Sequence, residues 1–243
     1  MKALILAAGY ATRLYPLTQN FPKPLLEIGG ISILDRLLKD LDSIPEIDQQ
    51  IVVTNSTFAP IFKKELANRK ELIIVDDGTT TNDNRLGAVK DILYVLDHLH
   101  IEDDLLVLAG DNVVDFSFAP FITFAVEKSR SCLTCHEEPS IPALQKTGVL
   151  EADQTMRVLA MHEKPQVPPS HWAVPPFYFY RKNDLPLISK ALENGCGADA
   201  PGNLMAWLCK QTEVYAWPLP GKRYDIGDLA SYEAVNKLFT RDK

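Results

Sequence analysis

Residues 1–28 read MKALILAAGYATRLYPLTQNFPKPLLEI. Within this stretch, the apolar run of residues 3–8 does not alternate with polar residues, which is typical of a strand buried on both faces of a parallel sheet. The run ends at Gly9, and a loop with Thr12, Arg13 and Lys23 follows. A loop with small residues and cations at the carboxyl end of a buried strand is a natural phosphate site. The rest of the chain is interpreted around this loop.

Composition and charge restrict the classes of protein to which the chain can belong. The 243 residues carry a net charge of −7, whereas non-specific nucleic-acid binding needs a basic face. The apolar runs are much shorter than the roughly 20 residues of a membrane span, so neither nucleic acid nor membrane is an expected partner. The four cysteines do not resemble a disulfide framework, which predicts the reducing cytoplasm.

The order of strand and helix patterns predicts an α/β fold. Apolar runs alternate with amphipathic segments, which indicates a parallel sheet flanked by helices up to about residue 130. Further along, strand-like runs separated by proline-rich breaks predict a mixed or antiparallel extension. We expect one domain, with a nucleotide-binding part at about 1–130 and an acceptor-binding part at about 131–243. The predicted strands are 3–8, 50–54, 72–75, 105–109, 131–136, 148–152, 156–162, 172–180 and 214–219, and the predicted helices are 31–42, 57–66, 88–99, 184–194, 201–211 and 229–239.

The first loop has the residue types that phosphate binding requires. Small residues at Ala8, Gly9 and Ala11 would let backbone N–H groups approach phosphate oxygens. Arg13 offers a planar fork of donors and Lys23 a compact charge. A simple turn with two surface cations explains the same residues equally well. Neither a dinucleotide fingerprint nor a Walker loop follows the strand.

Carboxylates at two distant places are candidate metal ligands. Asp111 follows a buried strand, where ligands bind in open α/β sheets. Asp225 lies far downstream, and Mg²⁺ usually takes one or two carboxylates together with phosphate oxygens and water. Asp228, three residues further on, is interpreted as the cap of the last helix. Glu163 and Lys164 after another strand are a weaker candidate for a second anion site.

The segment Cys132–His136 matches the C-x-x-C-H pattern of covalent haem attachment. The same residues read as a buried strand, and no second pair of zinc ligands is visible. A structural strand is therefore the preferred interpretation.

Short motifs along the chain resemble the signature of the sugar-phosphate nucleotidylyltransferases, or NDP-sugar pyrophosphorylases. The first motif is specific, and the later ones are short but follow the family's order. The resemblance extends from residue 1 to about 240, and it is to the short form without a C-terminal left-handed β-helix domain. The matching segments are residues 6–14 with 22–25, 86–88, 110–111, 147–149, 163–165 and 224–227.

The resemblance implies a Rossmann-like nucleotide-diphospho-sugar transferase fold, with a mixed, mainly parallel central sheet flanked by helices. It implies a Mg²⁺-dependent enzyme that transfers NMP from an NTP to a sugar 1-phosphate and releases pyrophosphate. The partners would be the NTP and a phosphorylated small molecule, and a homo-oligomer is compatible with the sequence. The implied catalytic residues are Arg13 and Lys23; the nucleotide-binding residues Ala8, Gly9, Thr12, Gly87 and Asp111; the acceptor-binding residues Gly148, Glu163, Lys164 and Tyr178; and the metal ligands Asp111 and Asp225.

Three departures from the family pattern keep other functions open. Ala11 stands where the family usually has Gly, which predicts a negative φ there. The loop of residues 79–85 lacks the Gln that often reads the base, so the base stays open. An acceptor wall with Pro175 and Pro176 allows a non-sugar acceptor such as phosphocholine or a polyol phosphate, for which Trp172, Phe177 and Tyr178 could form an aromatic cage. A catalytically silent nucleotide-binding regulator is the third alternative.

Overall fold

A computed structural model describes residues 1–241. Their contacts group them into two compact units. The first contains residues 1–85, 109–118 and the described part of 221–243, and the second contains 86–108 and 119–220. The strands are β1 Lys2–Leu6, β2 Glu27–Ile28, β3 Ile31–Ser32, β4 Gln49–Thr54, β5 Ile73–Asp76, β6 Leu105–Ala109, β7 Asn112–Val114, β8 Ser131–Glu137, β9 Gly148–Ala152, β10 Val158–Glu163, β11 Trp172–Val174, β12 Phe177–Tyr180, β13 Val214–Pro218 and β14 Arg223–Asp225. The α-helices are α1 Ile33–Leu41, α2 Ala59–Glu65, α3 Ala88–Leu99, α4 Ala119–Lys128, α5 Ile141–Leu144, α6 Leu187–Glu193, α7 Pro201–Leu208 and α8 Leu229–Arg241.

The first unit is built on three parallel strands. β1 pairs with β4, and β4 pairs with β5. All three strands have buried apolar side chains, because helices cover a parallel sheet on both faces. Helix α1 begins at Ile33, two residues after the predicted start, and the side chain of its N-cap Ser32 accepts a hydrogen bond from the Asp35 N–H at 2.9 Å.

A second core in this unit fixes the C-terminal segment. It joins residues from the first loop, from β7 and from α8, and Ile226 at its centre is fully buried. The antiparallel pair of β7 and β14 runs beside this core. Burial of Ile226 therefore holds the preceding residue, Asp225, in a defined place. The core consists of Leu14, Leu26, Ile28, Ile33, Val113, Ile226 and Val235.

The second unit is a mixed sheet in the order β10–β9–β11–β8–β12–β6. Its neighbours along this path are antiparallel, whereas β13 pairs with β8 in parallel. Strand β12 is buried on both faces, and its residues Phe177 and Phe179 are fully buried. Helix α4 covers part of this sheet, where the Phe121 ring lies 5.7 Å from the ring of Trp217.

The mixed sheet flanked by helices is confirmed, and most predicted elements are present within a few residues. Three local predictions were wrong. Helix α4 was not predicted, and residues 172–180 form two strands, because Pro175 and Pro176 interrupt them. Residues 76–87, for which the sequence predicts neither a helix nor a strand, do have local structure. Asn82–Asn84 form a 3₁₀ turn whose N-cap, Thr81, exchanges hydrogen bonds with Asn84. The prediction of a single domain stays a prediction.

Among residues 1–241, no helix is both long enough and apolar enough to cross a bilayer.

We expect Ile226→Ala to lower the free energy of unfolding by about 2–5 kcal/mol, because the truncation leaves a cavity in the core that anchors α8 and β14. Urea denaturation would measure the loss. Val167→Ala is the matched control: its side chain is 85% exposed, and its effect should stay within about 0.5 kcal/mol. Equal effects of the two substitutions would contradict the anchoring role of Ile226.

Candidate active site

The centre of the candidate site is an ion pair between Lys23 and Asp111 in the first unit. The Lys23 Nζ lies 2.8 Å from Asp111 Oδ2. The lysine side chain is 8% exposed and the aspartate side chain 44% exposed. A buried ammonium needs a counter-charge, so Asp111 stabilises Lys23 in this position. Its open face leaves Asp111 accessible to a further cation.

Neighbouring groups determine where Asp111 lies. The Gly110 N–H donates to the carbonyl oxygen of Leu6 at 2.9 Å, which places Asp111 beside the carboxyl end of β1. Buried Asn112 donates from Nδ2 to Asp111 Oδ1 at 2.7 Å. Arg223 in turn donates to Asn112 Oδ1 at 2.9 Å. One Asp111 oxygen is thus oriented by an amide and the other by an ammonium.

Strand pairing brings Asp225 to the same place. In the register of β7 and β14, Asp225 lies opposite Asn112, the residue that follows Asp111. The Asp225 side chain is exposed. Asp225 is therefore paired with the residue that follows Asp111 in the chain, and Asp111 immediately precedes β7. A magnesium site usually takes one or two carboxylate ligands from the protein, because phosphate oxygens and water supply the others.

A buried side-chain amide, which the sequence analysis missed, holds the backbone where the first loop begins. Asn55, fully buried at the end of β4, donates to the carbonyl oxygen of Ala8 at 2.9 Å. Its own Oδ1 accepts from the Phe58 N–H at 3.0 Å. Gly9 is exposed, and a Cβ built on it would contact nothing within 4 Å. The space that a ligand needs beside this backbone is therefore present.

The prediction for Ala11 was wrong, since its φ is +46° and its conformation left-handed. A methyl group is unfavourable in this conformation, which glycine adopts without that cost. Thr18 is 1% exposed, and its hydroxyl donates to the Ala11 carbonyl oxygen at 2.8 Å. That oxygen also accepts from the Leu14 N–H at 2.9 Å. Thr18 thus holds the turn, and the sequence analysis had not singled it out.

Thr12 and Arg13 follow in a short 3₁₀ turn and are exposed. Asp228 caps α8 as predicted, because the Ser231 N–H donates to its Oδ1 at 2.8 Å. The hydrogen bonds from Ser231 lower the pKa of Asp228, and the positive charge of Arg13 contributes to the same shift. The exposed guanidinium of Arg13 is open to an anion such as phosphate.

Gly87, a predicted nucleotide-binding residue, belongs to the second unit and begins α3. Its φ is +90°, and a Cβ there would lie 2.7 Å from the carbonyl oxygen of Ala198. The same carbonyl accepts from the Val89 N–H at 2.9 Å. Close backbone packing therefore requires glycine at this position, whether or not a nucleotide contacts it.

The predicted acceptor residues Gly148, Glu163 and Lys164 come together in the second unit. β9 and β10 pair so that Gly148 lies opposite Glu163. The Glu163 side chain is 16% exposed and its Oε1 lies 3.9 Å from Lys164 Nζ. Burial raises the pKa of Glu163, and the Lys164 charge partly offsets that shift. Lys164 has a φ of +49°, its N–H donates to the Thr147 carbonyl at 3.1 Å, and its side chain stays 57% exposed.

The structure does not support the aromatic cage. Phe177 and Tyr178 are consecutive in β12, so their rings point to opposite faces of the sheet. Both are almost completely buried, and the Tyr178 ring lies 6.2 Å from the ring of Tyr180. Trp172 lies on a different strand, opposite Leu150. Tyr178 therefore has little surface for an acceptor.

Cys132 and Cys135 are fully buried in β8, and burial raises the pKa of each thiol to about 12. Metal binding needs a thiolate, so this environment opposes it. Within residues 1–241, no group of three or more His, Cys, Asp and Glu side chains is placed to hold a metal. A structural strand remains the interpretation of the C-x-x-C-H segment.

A family model described as nucleotidyl transferase matches residues 2–242. The chain belongs to this family. A glucose-1-phosphate adenylyltransferase of Fervidobacterium nodosum is 26% identical over 98% of the chain and 61% of its own length. A putative mannose-1-phosphate guanyltransferase of Sulfolobus acidocaldarius is also 26% identical, over 97% of the chain and 62% of its own length. The chain thus spans about three-fifths of the length of these two relatives.

Similar solved structures confirm the Rossmann-like NDP-sugar transferase fold. A putative glucose-1-phosphate thymidylyltransferase from Bacillus anthracis matches with a TM-score of 0.84 at 20% identity, over 99% of this chain and 95% of that one. A UDP-glucose pyrophosphorylase in complex with UDP-glucose matches with a TM-score of 0.82 at 17% identity, over 100% and 99% of the two chains. At these identities the likeness concerns the fold.

We expect Thr18→Val to lower the free energy of unfolding by about 0.5–1.5 kcal/mol, because it removes one of the two hydrogen bonds that the Ala11 carbonyl oxygen accepts, at nearly constant side-chain volume. Urea denaturation would measure this loss. Thr123→Val is the control, since that hydroxyl bonds the Ala119 carbonyl on an exposed helix surface. A Thr18→Val protein as stable as the control would show that the hydroxyl does not hold the turn.

Proposed function

We propose that the protein transfers a nucleoside monophosphate from an NTP to a sugar 1-phosphate, which yields an NDP-sugar and pyrophosphate. The observation that carries this proposal is the ion pair of buried Lys23 with half-exposed Asp111, together with Asp225 opposite the residue that follows Asp111. It combines a phosphate-binding cation with two metal-binding carboxylates at the end of a parallel strand. The relatives, which are named as a glucose-1-phosphate adenylyltransferase and a putative mannose-1-phosphate guanyltransferase, support this chemistry.

The NTP would bind to the first unit. Ala8, Gly9 and Thr12 offer backbone in an open loop, and Arg13 and Lys23 would hold the triphosphate. Catalysis of phosphoryl-type transfer consists mostly of positioning and charge stabilisation. Lys23 suits that role because its buried ammonium is already ordered by Asp111. Charge on a departing pyrophosphate would be stabilised by these two cations.

Asp111 and Asp225 would hold Mg²⁺. Two observations support this fit. Both side chains offer the hard carboxylate oxygens that Mg²⁺ prefers, and Asp225 pairs with Asn112, the residue that follows Asp111. When bound, the metal neutralises negative charge on the phosphates. The amide of Asn112 keeps Asp111 Oδ1 oriented.

The acceptor would bind to the second unit. Exposed Lys164 would hold its phosphate, and Gly148 and Glu163 would line the pocket for its sugar. A carboxylate accepts hydrogen bonds from sugar hydroxyls, whereas the aromatic cage that a quaternary ammonium would need is not formed. A sugar phosphate is therefore favoured over phosphocholine.

In the reaction, a phosphate oxygen of the acceptor attacks the α-phosphorus of the NTP. The bond from that phosphorus to the oxygen bridging it to the β-phosphorus breaks, and the bond's electrons leave with pyrophosphate. With the attacking and leaving oxygens in line on opposite sides of the α-phosphorus, the acceptor displaces pyrophosphate directly. This direct displacement needs no covalent enzyme intermediate. This chain's contribution is to orient both substrates and to balance charge.

We expect the purified protein to release pyrophosphate when it is given Mg²⁺, one of ATP, CTP, GTP, UTP or dTTP, and glucose 1-phosphate or mannose 1-phosphate. A coupled pyrophosphate assay over all pairs measures the rate and identifies the base. Phosphocholine and a polyol phosphate test the non-sugar alternative. If NTP binds but no acceptor supports release, the protein is a nucleotide-binding regulator.

Lys23→Met should lower the rate of pyrophosphate release by about 100-fold or more, because an ordered cation in such a site contributes several kcal/mol.

We expect Asp111→Asn and Asp225→Asn each to weaken Mn²⁺ binding at least about tenfold, because a neutral amide replaces a charged ligand. Electron paramagnetic resonance of free Mn²⁺, with the NTP present, measures this without turnover. Asp115→Asn is the control: this aspartate follows β7 and accepts from the Lys222 N–H at 2.6 Å. Unchanged Mn²⁺ affinity in Asp225→Asn would remove Asp225 from the metal site.

A further inference from the structure

The carboxyl group of Glu163 lies in a slot between two glycines of the second unit. Gly148 on β9 forms one wall and Gly202, in the first turn of α7, forms the other. Met161, two residues before Glu163 on β10, closes the slot beside both glycines. Gly202 is buried, and it lies outside all the motifs that the sequence analysis used.

The two glycines differ in what a side chain would displace. A Cβ on Gly148 would lie 2.7 Å from Met161 Cε and 3.2 Å from Val174 Cβ, where a β-branched residue on a neighbouring strand has little freedom to move. A Cβ on Gly202 would overlap Glu163 Oε2 and lie 3.1 Å from Glu163 Cδ. The obstacle there is the free end of a flexible side chain, which can rotate away while the backbone stays in place.

We propose that Gly202 is a positioning residue: the missing side chain at the start of α7 keeps the Glu163 carboxyl in its slot, where it can hold the acceptor. The claim that Glu163 holds the acceptor rests on the proposed function. The claim that Gly202 keeps the Glu163 carboxyl group in its slot concerns the fold alone and can be measured separately.

The position of the Glu163 carboxyl group is sensitive to the residue at position 202 of α7. Glycine has the lowest helix propensity after proline, and α7 already begins with Pro201, so glycine at position 202 does not favour the helix. Alanine would favour α7 but would expel the carboxyl from the slot. Expulsion moves Glu163 into water, which removes the burial that raises its pKa. Lys164, with Nζ 3.9 Å from Oε1, is the charged group that faces it.

The test compares Gly202→Ala with the wild type in two measurements. In steady-state kinetics with the better of glucose 1-phosphate and mannose 1-phosphate, we expect KM for the sugar phosphate to rise at least about tenfold, because a charge-assisted hydrogen bond is lost. KM for the NTP should stay unchanged. In ¹³C NMR of Glu-labelled protein, with Glu163→Gln used to assign the signal, the Glu163 midpoint should move to lower pH. Tm should stay equal or rise by up to about 4 °C.

Gly197→Ala is the matched control. It makes the same change nearby in the chain, and its Cβ would lie 2.7 Å from the Nδ2 of Asn203, also the end of a flexible side chain. We expect this variant to keep the wild-type KM values and the wild-type Glu163 midpoint. If it changes them as Gly202→Ala does, the effect is a general one of this segment and the proposal is overturned.

A double-mutant cycle separates positioning from a structural effect. If Gly202 acts through Glu163, then Gly202→Ala adds no further change in KM to a protein that already carries Glu163→Ala. Additive effects would overturn the proposal, as would an unchanged Glu163 midpoint in Gly202→Ala. A wild type that releases no pyrophosphate, with the midpoint shift present, would refute the proposed function and leave the role of Gly202 in holding the carboxyl supported.

Discussion

The ion pair between Lys23 and Asp111 is the constraint on which the candidate site depends. The Lys23 side chain is 8% exposed, and Asp111 supplies the counter-charge that a buried ammonium needs, at a distance of 2.8 Å. The position of Asp111 depends in turn on a backbone bond from Gly110 to the end of β1 and on the amide of Asn112. Strand, loop and carboxylate are thereby held together as one arrangement suited to a polyphosphate.

Backbone constraints shape the rest of the site. Ala11 accepts a left-handed conformation that favours glycine, and buried Thr18 holds the turn in place. Lys164 is also left-handed, with its N–H bonded to Thr147. Non-glycine residues in this region persist where surrounding contacts stabilise them, and they are frequent at binding sites. Around Glu163 the reverse holds: Gly148 and Gly202 have no side chain, and the space this leaves accommodates the carboxyl group.

Much of the fold was predictable from local pattern. The bounds of α3, β6 and β9 match the prediction because each is a regular apolar stripe or a short apolar run between polar residues. Helix α4 was missed, since Pro120 and the β-branched and aromatic residues after it have low intrinsic helix propensity, and tertiary burial of Phe121 and Ile122 stabilises it instead. The aromatic cage was wrong because proximity in sequence does not place consecutive strand residues on one face.

The sequence by itself determined the family, the alternation of strands and helices, and the residue types of the site: Lys23, Asp111, Asp225, Glu163 and Lys164. Tertiary structure decided how they are arranged. The pairing of β7 with β14 brings Asp225 beside Asn112, and the packing of α7 on β10 brings Gly202 against Glu163. Such contacts join residues far apart in the chain, so they leave no local period or motif. They arise only when burial of the apolar faces brings the elements together.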